Sequence, residues 1–186
     1  TMSRTGSHLL RLTADVGHNW TPAWSPDGQY IAFASTRDPV TGTNSLGDEV
    51  YYFNIWFMGA DGSLPRLLYA GSDLDEDPVF SADSKTVYFA SSKIINFTYT
   101  PQIWEVPADG SAPATGVTNN GGTIVEGEDP SLSVDGRTLF YGRGGQLMGL
   151  HLSTRAETAY AYWEEPWSGP ATNLVVYHTA GPGDVV

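Results

Sequence analysis

Three stretches of the chain repeat one another. "TPAWSPDGQYIAFAS" begins at Thr21, "DPVFSADSKTVYFAS" at Asp77 and "DPSLSVDGRTLFYGR" at Asp129. All share a proline, an apolar residue and Ser-x-Asp, followed by an apolar run of three. A second shared piece follows: "NIWFMGADGSLPRLL" from Asn54 and "QIWEVPADGSAPATGV" from Gln102, with "QLMGLHLSTRAET" from Gln146 in the third copy. A degraded fourth copy, "EEPWSGPATNLVVYHT", starts at Glu164. A repeat of this length is one supersecondary unit that cannot bury its apolar face alone and must stack on its neighbours.

Each piece has a local physical reading. Pro22, Pro78 and Pro130 are expected to open an inner strand, where a missing N–H is tolerated. "SPDG" at Ser25 to Gly28 is a turn: proline presets φ, aspartate bonds nearby backbone and glycine accepts positive φ. Ser84 stands where the other copies have Gly28 and Gly136, so that turn should be slightly strained. Ile31 to Phe33, Val87 to Phe89 and Leu139 to Tyr141 are short apolar runs suited to a strand buried on both faces. Ile55–Trp56 and Ile103–Trp104 begin a third strand, Ala-Asp-Gly-Ser is a hairpin turn, and Arg66 to Leu68 form a fourth, outer strand. Four antiparallel strands per repeat, stacked through both faces, make a propeller blade. Trp24, Phe80 and Leu132 should then be buried at equivalent positions.

The pattern "PxWSPDGxxIAF…IWxMxADGS…RLL" resembles the TolB-like, WD-type β-propeller repeat. It is clearest from Pro22 to Leu68, good from Pro78 to Val117, recognisable in the third copy and marginal in the fourth. The resemblance implies an all-β fold of four-stranded antiparallel blades. Members of this group usually form six blades and include periplasmic protein-binding proteins, cell-envelope proteins and the propeller domains of prolyl oligopeptidase-like enzymes. It therefore implies a periplasmic or extracellular location.

The expected organisation is a single or partial propeller domain over 1–186. Blades fall roughly at 19–70, 75–118 and 127–160, with an incomplete one at 164–186. The repeat prolines lie 56, 52 and 36 residues apart, against about 40–45 per blade for WD-type repeats. About four blades fit, so the chain is expected to be part of a larger ring, an unusually small ring, or half of a ring closed by a second copy. Ser7 to Thr13 matches an outer strand of a closing or preceding blade.

Charge and motifs exclude several functions. A net charge of −12 argues against nucleic acid, whose phosphates need basic patches. No run approaches the ~18 apolar residues of a membrane span, and no signal peptide is visible at the first residues. The absence of cysteine removes disulfides and thiol chemistry. Ser25, Ser81 and Ser133 recur with Asp27, Asp83 and Asp135, whereas a nucleophile is needed once, so these are expected to hold turns. There is no G-x-S-x-G elbow and no H-E-x-x-H histidine pair. No catalytic residue is assigned.

The acidic residues carry the functional expectation. Blade topology puts the loops after the second and fourth strands on one face. That face holds most of the 21 carboxylates and only three of the nine cations, Arg37, Lys93 and Arg143. Glu76–Asp77, Glu128–Asp129 and Glu164–Glu165 each precede a repeat proline, with Trp20–Thr21 in that place in the first copy. Together with Asp73 and Asp75 they form the candidate binding set. Crowded carboxylates at a channel mouth suit a hard cation such as calcium, which takes six to eight oxygens, although "DLDEDP" lacks EF-hand spacing. The alternative is a solvated acidic rim. The favoured function is a non-catalytic module that recognises a protein or cell-envelope partner through this acidic face. The alternatives are a propeller fragment of a prolyl oligopeptidase-like peptidase or a metal-dependent propeller lyase.

Overall fold

The computed structural model describes residues 1–2, 5–13, 17–37, 41–43, 49–71, 74–95, 98–120, 123–124 and 126–162. The fourth repeat, 164–186, lies outside the described residues. The described chain is all β, with no helix. The first blade contains β1 (Asn19–Trp24), β2 (Tyr30–Ser35), β5 (Asn54–Gly59) and β6 (Arg66–Tyr69). A two-stranded ribbon, β3 (Thr41–Thr43) with β4 (Glu49–Tyr51), interrupts it between β2 and β5. The second blade contains β7 (Leu74–Phe80), β8 (Thr86–Ile95), β9 (Thr98–Pro107) and β10 (Thr115–Gly116). A second ribbon follows, β11 (Asn119–Asn120) with β12 (Thr123–Ile124). The third blade contains β13 (Glu128–Leu132), β14 (Thr138–Arg143), β15 (Gln146–His151) and β16 (Glu157–Tyr162). Each blade is a four-stranded antiparallel sheet in chain order from inner to outer strand. The stretch from Ser91 to Pro101 is largely an extension of the β8–β9 hairpin, paired out to Ile95 and Thr98.

The apolar runs are buried on both faces because successive strand residues point to opposite neighbours. In the first junction, Ala32, Ile55 and Phe57 of blade one pack on Phe80, Val87, Phe89 and Val106 of blade two. In the second, Tyr88, Ala90 and Ile103 pack on Leu139, Tyr141, Met148 and Leu150. Tyr69 reaches across the first junction, its ring 4.8 Å from that of Phe89. Fully burying a side chain the size of Phe89 contributes about 2–3 kcal/mol.

Trp24 departs from expectation. Phe80 is buried at its repeat position, but Trp24 is 50% exposed. Trp24 pairs with Ile31 on the outward face of the first blade, where no further blade stacks among the described residues. That face is covered in part by Leu12, which packs on Ile31, Phe33 and Met58. Ser7 to Thr13 is not a strand here; the backbones of Thr1 and Leu10 bond to each other instead.

The prolines also differ from expectation. Pro22, Pro78 and Pro130 do not open their strands but sit inside them, at register breaks between Trp20 and Ala23, Glu76 and Val79, and Glu128 and Ser131. The bulge leaves the proline outside the ladder, so its missing N–H breaks no pairing.

Candidate functional site

The recurrent serines are turn residues. Ser25 Oγ donates to Asp27 Oδ1 at 2.6 Å and accepts the Tyr30 amide at 2.9 Å, while Gln29 N bonds Asp27 Oδ1. The same circuit joins Ser81, Asp83, Lys85 and Thr86, and Ser133, Asp135, Arg137 and Thr138. The serine hydroxyl, followed by a backbone amide, holds each aspartate below the usual carboxylate range. A hydroxyl that donates to a carboxylate and accepts an amide in every blade is structural. Ser84 has φ +62°, against +70° at Gly28 and +69° at Gly136, so the turn strain expected from the sequence is present. Its hydroxyl accepts the Asp27 amide from the first blade at 3.2 Å.

The opposite end of the inner strands is built on the three bulges. The residue before each proline lies in left-handed backbone space: Thr21 at φ +43°, Asp77 at +53° and Asp129 at +50°. This region is costly for a residue with a Cβ, above all for a β-branched one. Its recurrence at three equivalent positions re-aims three side chains in the same way. Thr21 Oγ1 accepts the Asp77 amide at 3.2 Å, and the Asp129 carboxyl stands close enough to that of Asp77 to favour a proton held there. Thr21, Asp77 and Asp129 thus form a continuous row across three blades. Sequence reasoning missed the bulge, although the recurrence of Thr-Pro, Asp-Pro and Asp-Pro was its signal.

Four of the expected carboxylates meet here. Asp77 is pushed up to about 7, first by burial, then by the charges of Glu76 and Asp129. Burial, Asp129, Glu126 and Glu76 raise Glu128 as well. Arg143, the described cation of the third blade near this end, forms a bidentate pair with Glu157, at 2.7 and 2.9 Å. Its Nε donates to the Glu126 carbonyl. Trp20 occupies the Glu76 repeat position on the neighbouring strand; it is 59% exposed and stacks on Phe53 at 5.4 Å.

Asp75 does not belong to the rim. It is 0% exposed, inside the first junction, where Oδ2 accepts the Gly71 amide at 2.7 Å and its own amide donates to the Phe53 carbonyl. Asp73, Glu164 and Glu165 lie outside the described residues. Among the described residues no group of three or more His, Asp or Glu side chains has metal-site geometry.

No family model matches the chain. An uncharacterized protein of Agrobacterium fabrum is 31% identical over 108 residues, covering 58% of this chain and 31% of that protein. Among solved structures, TolB from Acinetobacter baumannii superposes with a TM-score of 0.64 at 18% identity, over 87% of this chain and 36% of TolB. An oligogalacturonate lyase in complex with manganese gives a TM-score of 0.56 at 11% identity, over 79% of this chain and 42% of the lyase. The fold is therefore TolB-like, and the chain spans about a third of the length of the curated relative and of TolB.

Proposed function

We propose that the chain is a non-catalytic binding module that takes a lysine- or arginine-bearing segment of a protein partner at the carboxylate end of its blades. The observation that carries this is the meeting of Glu76, Asp77, Glu128 and Asp129 from two inner strands beside an exposed Trp20 on a third. Carboxylates that raise one another's proton affinity gain most from a cation brought by a partner. An aromatic face adds attraction for an ammonium or guanidinium group, whereas calcium takes oxygen ligands alone. The fold is shared by TolB and by a lyase, so it does not choose between binding and catalysis; the turn role of every repeat serine favours binding. A periplasmic or extracellular setting, and closure of the ring with further blades or a second chain, belong to the same reading.

The test is a titration with a fluorescent oligo-arginine peptide, beside melting curves in calcium and sodium at equal ionic strength. The expected result is saturable peptide binding, weakened about tenfold or more in Asp77→Asn with Asp129→Asn, and equal melting temperatures in the two salts. Unchanged peptide affinity in the double variant would sink the proposal. A calcium-specific rise in melting temperature that the double variant loses would turn it into a metal site.

A further inference from the structure

The turn end of the first junction, at the other end of the inner strands from the carboxylates, holds a cavity of about 690 Å³. Tyr30, Phe57 and Arg66 wall it from the first blade, and Lys85, Pro107 and Asp109 from the second. Tyr30 packs on Phe57 with ring centres 4.8 Å apart. The Arg66 guanidinium lies 4.5 Å over the Phe57 ring, and its Nη2 donates to the Ala108 carbonyl. A cation is thus held in place by an aromatic ring and a neutral carbonyl. Arg143 and Arg155 each pair with a glutamate, whereas Arg66 forms no ion pair among the described residues. Asp109 stands near enough to feel the Arg66 charge, while its Oδ1 accepts the Ser111 amide at 2.9 Å.

We propose that this cavity binds a small monoanion with an apolar body, its carboxylate or sulfonate held by Arg66 with Lys85 alongside. The volume lies within the range of small-molecule sites, which are mostly apolar with a few convergent polar groups. Guanidinium presents five N–H donors in a planar fork matched to a carboxylate, and one of them is committed to Ala108. Stacking on Phe57 fixes the fork before the ligand arrives, which lowers the ordering cost of binding. Asp109 at the rim repels a second negative charge, so a dianion is disfavoured. The repeat itself underlines the difference. In the next junction Glu105 stands at the Phe57 position and Ala114 at the Arg66 position, and Glu105 receives Arg155 Nη2 of the third blade at 2.7 Å, so a paired acid takes the place of the aromatic ring and its guanidinium.

The experiment follows amide resonances of the isotope-labelled full chain during titration with naphthoate, with neutral naphthalenemethanol and naphthalene dicarboxylate as comparison arms. Shifts should centre on Ser63, Lys85 and Asp109, and naphthoate should bind more tightly than either comparison compound. Arg66→Gln should weaken naphthoate about tenfold, the loss expected for one charge-assisted hydrogen bond. Ser111→Trp, at the exposed rim and outside the core, should block the cavity without disturbing the blades. The proposal is overturned if shifts centre on Trp20 and Trp24, if the neutral compound binds equally well, or if Ser111→Trp leaves affinity unchanged. It is equally overturned if millimolar naphthoate causes no shifts.

Discussion

Between the first and second blades, Phe57 and Arg66 face Lys85 and Asp109 across an open cavity. Between the second and third, Glu105 takes the Phe57 position and Arg155 closes on it at 2.7 Å. There Gly136 also approaches Ala82 so closely that an added Cβ would lie 2.4 Å from the alanine methyl. The middles of the two junctions are alike, each a closed apolar layer. The contrast teaches that the repeat fixes the middle of a blade contact and leaves its turn end free to vary. Phenylalanine with Arg66 goes with an open hollow, and glutamate with Ala114 and an arginine from the next blade goes with an ion-paired seam.

The largest expected effect tests the likeness of the middles. Phe89→Ala, at 0% exposure in the first junction, should cost about 3–5 kcal/mol, and Ile103→Ala, also at 0% in the second, about 2–5. Urea unfolding gives both. A Phe89→Ala cost below about 1 kcal/mol would mean that the cavity loosens the whole first junction, and the contrast drawn above would fail.

Next in size is the pH response at the carboxylate end. Asp77 is raised to about 7 from an unfolded value near 3.8, the reverse of the usual aspartate. The folded chain holds this proton more tightly than the unfolded one. Its contribution is therefore most favourable below pH 3.8, falls as pH rises towards 7 and is level above that. The full shift is worth about 4 kcal/mol, which partial exposure reduces to about 1–2. Asp77→Asn should stabilise the chain by about three fifths of that amount at pH 8 relative to pH 5. Glu128, raised in the same direction, keeps a smaller slope in the variant. A variant with the parent's pH slope would show that Asp77 is not the group concerned.

Smaller effects sharpen the comparison at the turn ends. Glu105→Gln should cost no more than about 1 kcal/mol, since both partners of the seam reach solvent, and the loss should shrink in high salt. Ser84→Gly should change stability least. Relief of the left-handed strain favours it by about 0.5–1 kcal/mol, and loss of the bond from the Asp27 amide offsets part of that. Thermal melts resolve both, and a destabilisation by Ser84→Gly would rank the inter-blade bond above the strain.

The blades were legible in the sequence because their determinants are local. Ser25, Asp27 and Tyr30 bond one another within six residues, and Ile31 to Phe33 carry their own burial signal. What lay beyond reach depends on neighbours. Trp24 has the same repeat position as Phe80, yet its burial requires a blade on its outer side. Asp75 reads as one more rim acid, but it is fully buried and its carboxylate accepts the Gly71 amide. The Phe57 to Glu105 exchange was visible in the letters; its consequence required knowing that both face the following blade. The carboxylate row is legible as a cluster, while the bulges that aim it leave no mark in the letters beyond prolines, which fit a strand opening equally well.

Two hydrogen bonds run between the first two blades at opposite ends of their inner edges, Asp27 N to Ser84 Oγ and Asp77 N to Thr21 Oγ1, both 3.2 Å. They act as the spine of a book. Sliding one blade along the other would break both, whereas opening the outer edges breaks neither. On the outer side the pages are clasped by Arg66 on the Ala108 carbonyl and by Tyr69 on Phe89. A guest that drew the guanidinium away from that carbonyl would release one clasp, so the outer edge could swing wider while the carboxylate row along the spine kept its spacing.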